Sequence, residues 1–132
     1  MSTEEKNLKV VQSYFDHLAK GEMDQVGAIL ADDIIWNQPG HHQASGTYRG
    51  KLELFPHLGK MMELTKGTLK LEPKLMMANL DLVSVIINFS GQRDGTSMSM
   101  AGVDLLKIQD GKIKEVWLFS EDQDAENKFW GK

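Results

Sequence analysis

Asp104 is the residue most out of place in this chain. Across Ser97–Gln109, alternate positions hold Met98, Met100, Gly102, Asp104, Leu106 and Ile108. Alternate positions of a strand share one face, so a carboxyl group interrupts an apolar row. Lost solvation penalises the charged form of such a group and favours the protonated one. Asp104 is then a pocket acid or hydrogen-bond donor. The competing reading pairs it with an internal Lys or Arg, or turns it to solvent through a bulge. Tyr14 is the second candidate. Leu8, Val11, Phe15 and Leu18 recur at helical spacing, and Val10 and Tyr14 flank that stripe. A buried tyrosine ring requires a partner for its hydroxyl. A phenol and a neutral carboxyl converging on one cavity would stabilise the negative charge that develops on a carbonyl oxygen.

Further candidates lie between Trp36 and Gly50. Histidine changes charge near neutral pH, so His41 or His42 could move a proton. Neighbouring residues of an extended loop point in opposite directions, so at most one of the two faces a cavity. They do not define a metal site, because no third ligand has suitable spacing, and the chain has no cysteine. Trp36, Trp117, Met98, Met100 and His42 are candidates for lining a pocket around the reacting group.

These side chains need elements to carry them. Ser2 or Thr3 caps a first helix, with Glu4 and Glu5 near its positive end, and Gly21 ends it. A second short helix is predicted from Met23 to Leu30, and a strand over Ile34–Asn37. Gly40–Gly50 reads as a loop. A third helix fits Leu52–Leu64, weakened by Pro56 and Gly59. From Thr68 the periodicity becomes alternating, and Val83, Val85, Ile87 and Phe89 share a strand face. Asp94-Gly95 and Asp110-Gly111 mark tight hairpin turns. Helices followed by a meander of four long strands imply an α+β domain in which helices pack on one antiparallel sheet.

Composition narrows the function classes. One domain spans residues 1–132, long enough for a core without staples. A net charge of −4 argues against a nucleic-acid partner. No apolar run is long enough to span a bilayer. The start, Met1-Ser2-Thr3-Glu4-Glu5-Lys6, has neither a basic nor an apolar region of the secretory kind. The expectation is a cytoplasmic protein.

The segments VVQSYFDHLAKGEMDQVGAILADDIIWNQPGHHQASGTYRG, GVDLLKIQDGKIKEVW and EDQDAENKFW together resemble the SnoaL-like polyketide cyclases and ketosteroid isomerases of the NTF2-like superfamily. The likeness runs from about Glu4 to Trp130. It implies a cone with a curved antiparallel sheet, three N-terminal helices and an apolar pocket, paired as a homodimer through the outer sheet face. It also implies cofactor-free chemistry on a small apolar carbonyl compound. In the isomerase pattern, Tyr14 matches the oxyanion-hole tyrosine and Asp104 the neutral aspartic acid beside it, a pair whose chemistry is borrowed from that family. The family's general-base aspartate falls at Asn37, counting back from Ser45-Gly46, and an amide cannot take that proton. In the cyclase pattern Asp104 is itself the acid/base. Two alternatives stand beside an isomerase, cyclase or lyase. One is a binding module without chemistry. The other is a hydrolase resembling limonene epoxide hydrolase, in which Asn37, Tyr14 and Asp104 would activate water.

Overall fold

The computed structural model describes all 132 residues. Helix α1 (Thr3–Ala19) starts at a capping box, in which Ser2 accepts from the Glu5 amide and Glu5 reaches back to the Ser2 amide. Helix α2 spans Met23–Ile29 and runs straight into strand β1, Leu30–Gln38. Strand β2 (Gly46–Arg49) and helix α3 (Lys51–Leu64) follow, and then β3 (Lys70–Asn79), β4 (Leu82–Arg93), β5 (Thr96–Gln109) and β6 (Lys112–Ser120). Helix α4, Gln123–Trp130, closes the chain.

The six strands form one curved sheet in the order β2-β1-β6-β5-β4-β3. The meander β3 to β6 is antiparallel throughout, with Asp94 and Asp110 at positive φ in the two Asp-Gly turns. Pro73 sits where β3 and β4 shift register, as expected of a residue that cannot donate to the ladder and is tolerated on an edge strand.

The sequence expectation holds in its α+β class and helix-on-sheet layers, and three details differ. The sheet is mixed, because β1 pairs in parallel with β6. The stretch read as a loop contains β2, which pairs with the end of β1. The tail is a fourth helix, with Asp122 accepting from the Ala125 amide at 3.0 Å. Its eight residues offer no long apolar stripe, only the adjacent pair Phe129-Trp130, so periodicity could not announce it.

One sheet face packs on the helices. It carries Ile34, Trp36 and Gln38 from β1, Val83, Val85, Ile87 and Phe89 from β4, Met98, Leu106 and Ile108 from β5, and Val116 from β6. Val11, Tyr14, Phe15, Leu54, Met61, Phe129 and Trp130 meet it from the helices. Gly102 is required on this face: a Cβ there would lie 2.6 Å from the Phe119 carbonyl oxygen and 2.9 Å from the Phe89 ring. No helix is long and apolar enough to cross a membrane.

Candidate functional site

Asp104 lies on the inner face, opposite Val85 on β4 and Leu118 on β6, and is 9% exposed. No protein group hydrogen-bonds its carboxyl. Burial, and then the negative charge of Glu126, push its pKa up to about 7, so near neutral pH it divides between acid and carboxylate. Tyr14 projects from α1 into the same interior and is 3% exposed. Burial raises the phenol far above its ordinary value, and the Asp104 charge adds to the effect. Tyr14 is therefore a permanent donor. The two groups feel one another electrostatically, but no hydrogen bond joins them.

Glu126 of α4 supplies the charge that bears on Asp104. It is 4% exposed, and its carboxylate accepts from Ser120 Oγ, from Gln123 Nε2 at 3.2 Å and from Trp130 Nε1 at 3.3 Å.

A second polar cluster is buried between α3, β1 and the loop after β1. His57 of α3 is 3% exposed. Its Nε2 lies 3.1 Å from Gln38 Oε1, which also accepts from Trp36 Nε1 at 3.0 Å. The Tyr48 ring stacks on the imidazole with centroids 3.8 Å apart. Burial, followed by the charges of Lys60 and His42, brings the His57 pKa down to about 4, so the ring is neutral at pH 7. His42 Nδ1 accepts from the Ala44 amide at 3.1 Å. Burial lowers the pKa of His42 as well, against the opposing pull of the Glu126 charge and of a hydrogen bond to the Pro39 backbone.

Two concavities open on the surface. One, of about 250 Å³, opens where β1 and β6 part beyond the Asn37–Trp117 pair, and it reaches Gln38, Thr47, Leu118 and Phe119. The other, of about 310 Å³, lies between the end of α3 and the β4–β5 hairpin, around Thr65, Gln92 and Arg93. It touches neither cluster.

The SnoaL-like domain family matches residues 11–116, most of the chain. The protein belongs to the SnoaL-like family. A crystal structure of a protein of unknown function with a cystatin-like fold from Xanthomonas campestris is 46% identical. It superposes with a TM-score of 0.92 over 96% of this chain and 98% of that one. A putative SnoaL-like polyketide cyclase from Jannaschia sp. shares the fold at 16% identity, with a TM-score of 0.80 over 100% of this chain and 97% of that one. An uncharacterized protein of Mycobacterium tuberculosis is 24% identical over 97% of this chain and 98% of its own length.

In this SnoaL-like chain the residues singled out from sequence fall into three places. Tyr14, Asp104, Trp36, Met98 and Met100 lie on the interior side. Asn37 and Trp117 lie on the other face of the sheet: they are neighbours across the β1–β6 ladder, and Asn37 donates to Glu115 Oε2 at 3.1 Å and to the Val116 carbonyl at 3.0 Å. The reason is strand alternation. Ile34, Trp36 and Gln38 point inward, so Asn37 cannot. Gln38, one residue on, is the interior side chain, and counting back from Ser45-Gly46 misses it. His41 is exposed, tied by its amide to Asn127 Oδ1 at 3.0 Å, while His42 is half-buried. Of the buried polar residues that the sequence reading does not single out (Asn7, Gln38, His57, Thr65 and Glu126), Gln38, His57 and Glu126 belong to these clusters. Leu54, His57 and Met61 share one helical face of α3, and that spacing was the available signal for His57.

Proposed function

We propose that this SnoaL-like protein binds a small, largely apolar carbonyl compound and stabilises its enolate, as a cofactor-free isomerase, cyclase or lyase. The observation that supports this reading is the pair Tyr14 and Asp104. Both are buried on an apolar face, without protein hydrogen-bond partners, and electrostatically coupled. A carbonyl oxygen placed between them would accept from the phenol and from the protonated acid. Both bonds strengthen as charge moves onto that oxygen. An acid whose pKa lies near the working pH also suits proton transfer, since both forms are populated. The α-proton passes to solvent water while Asp104 gives its proton to the enolate oxygen and recovers it when the ketone re-forms, so Asp104 serves as the acid/base in the cyclase manner. Asn37 is removed from that role by its face of the sheet, and His42 by its tautomer, which leaves a donor rather than a lone pair free.

The outer face adds a second expectation. Ile86 and Phe119 are exposed there beside Val103, Leu105 and Trp117. We propose that a second copy covers this patch, giving the homodimer that the family resemblance implies.

The decisive experiment is exchange of the α-protons of 2-tetralone into D2O, followed by proton NMR. Wild-type protein should accelerate exchange, and Asp104→Asn should lower the acceleration by about 100-fold or more. A ketone that binds without exchanging would reduce the protein to a binding module. Exchange that survives Asp104→Asn would remove Asp104 from the chemistry.

A further inference from the structure

The last helix of the chain holds a second carboxyl group beside Asp104. Alternation along β6 puts Val116, Leu118 and Ser120 on the face that Asp104 occupies. Asp104 lies opposite Leu118, and Gly102 lies opposite Ser120. Ser120 is therefore the diagonal neighbour of Asp104, at a Cβ separation of about 7 Å. The Ser120 hydroxyl donates to Glu126 Oε1, which brings the Glu126 carboxylate to the same corner of the interior. Gly102 puts no side chain there, and the Phe89 ring lies against it. Asp104 and Glu126 are both buried, so little water screens one from the other.

The local chemistry fixes the charge of Glu126 as well as its place. Ser120 Oγ, Gln123 Nε2 and Trp130 Nε1 all donate to it. A carboxylate only accepts, so three donors favour the ionised form. None of the ion pairs of the chain includes Glu126. The turn that carries it is locked onto β5: the Glu121 amide donates to the Ala101 carbonyl at 2.9 Å, and the Glu121 carboxylate accepts from the Ala101 amide at 3.0 Å. Phe129 and Trp130 bury the far end of α4. An uncharged acceptor would anchor α4 to β6 equally well. A charge buried without a cation costs far more than a neutral acceptor, so the charge itself calls for a use.

The other groups around Asp104 are uncharged. Val85 on β4 and Leu118 on β6 flank it. Helix α1 brings the neutral phenol of Tyr14, α2 brings Val26, and α3 brings Leu54 and the neutral His57. Glu126 supplies the charge that acts on Asp104, and it acts on His42 in the loop after β1 as well. We propose that Glu126 is a positioning residue for the reaction: its fixed carboxylate keeps Asp104 in the protonated form that donates to the enolate oxygen. This rests on the reading of Asp104 as the acid/base and assigns the residue that sets its working pH.

The test combines exchange of the 2-tetralone α-protons with 13C NMR of the carboxyl groups, in wild-type protein and in Glu126→Gln. The charge of Glu126 should matter most where Asp104 titrates. The ratio of variant to wild-type exchange rate should fall about fivefold from pH 5 to pH 7, as the Asp104 midpoint drops by about one pH unit. A purely structural role lowers the rate by the same factor at every pH, so a constant ratio overturns the proposal. The carboxyl titration needs no activity. The Asp104 carboxyl carbon should titrate at lower pH in Glu126→Gln than in wild type, and an unmoved midpoint overturns the proposal. Absence of exchange by wild type overturns the enolate reading, whereas a moved midpoint would still support the coupling of Glu126 to Asp104. A last check uses the unmutated protein alone. At pH 6 the Asp104 carbon should report mainly the acid and the Glu126 carbon the carboxylate, and the reverse assignment overturns the proposal.

Discussion

Asp104 and His57 share one interior, one on the sheet and the other on α3, and burial acts on them in opposite senses. The carboxyl is driven up to about 7 and the imidazole down to about 4. In both cases the charged form is what the apolar surroundings penalise. The acid end therefore gains a proton to donate and the base end keeps a lone pair to offer. Neither cluster contains a neutralising ion pair. A core that only needed stability would carry hydrocarbon at both positions. This one keeps a donor end and an acceptor end inside the same fold.

The two ends also give opposite pH dependences. Asp104 has a folded pKa above its unfolded value of about 3.8. Its burial is without cost below that value, and stability is lost as pH rises through about 7. His57 has a folded pKa below its unfolded value of about 6.5. Its burial is without cost above 6.5, and stability is lost as pH falls toward about 4. The windows overlap, so the wild-type protein should show a shallow profile between them, and removing either group should expose the slope of the other.

The largest effect is expected for Asp104→Asn. At pH 8 the variant should be more stable than wild type by up to about 4 kcal/mol, the cost of holding the carboxylate ionised in the interior. At pH 4 the difference should vanish. Urea denaturation at both values measures it. A variant less stable than wild type at pH 8 would mean that the carboxylate has a favourable partner, and the contrast between the two ends would be lost.

His57→Gln should act in the other direction and less strongly. Between pH 7 and pH 4, wild-type protein should give up about 2 kcal/mol on account of this imidazole, partly hidden by the gain from Asp104. In His57→Gln that loss disappears, so stability should climb more steeply as pH falls than it does in wild type. The readout is the slope of unfolding free energy against pH, which a simple packing defect would shift without tilting. An unchanged slope would show that His57 titrates as it does in the unfolded chain.

How much of this was legible in the residues depends on the strength of the local pattern. Asp104 was readable because β5 is long and strictly alternating, so a single carboxyl in its apolar row had only one face to occupy. Tyr14 was readable from the stripe of α1. His57 was harder to read: Pro56 and Gly59 weaken the helical reading of Leu52–Leu64, although the helix runs unbroken from Lys51 to Leu64 with Pro56 inside it, and only the spacing with Leu54 and Met61 marks His57 as inward. Glu126 was hidden by the short α4, where two adjacent aromatics carry all the apolar signal. The β1–β6 pairing is parallel and joins strands far apart in sequence, a contact that no turn residue announces.

Asn37 and Gln38 bring the comparison down to neighbouring residues. Counting from a motif put the base position at Asn37, whereas alternation from Ile34 puts Gln38 inside and Asn37 outside, and the structure follows alternation. Asn37→Asp should therefore create no proton acceptor for an interior ketone, and the exchange rate of 2-tetralone should match wild type. The substitution instead sets a second carboxylate against Glu115, which now accepts from the Asn37 amide at 3.1 Å. Losing that bond and gaining a like charge on a partly exposed face should cost about 1 kcal/mol, less at high salt. A marked rise in exchange from Asn37→Asp would mean that the β1 register is shifted by one residue, and every inward assignment on that strand would have to be reversed.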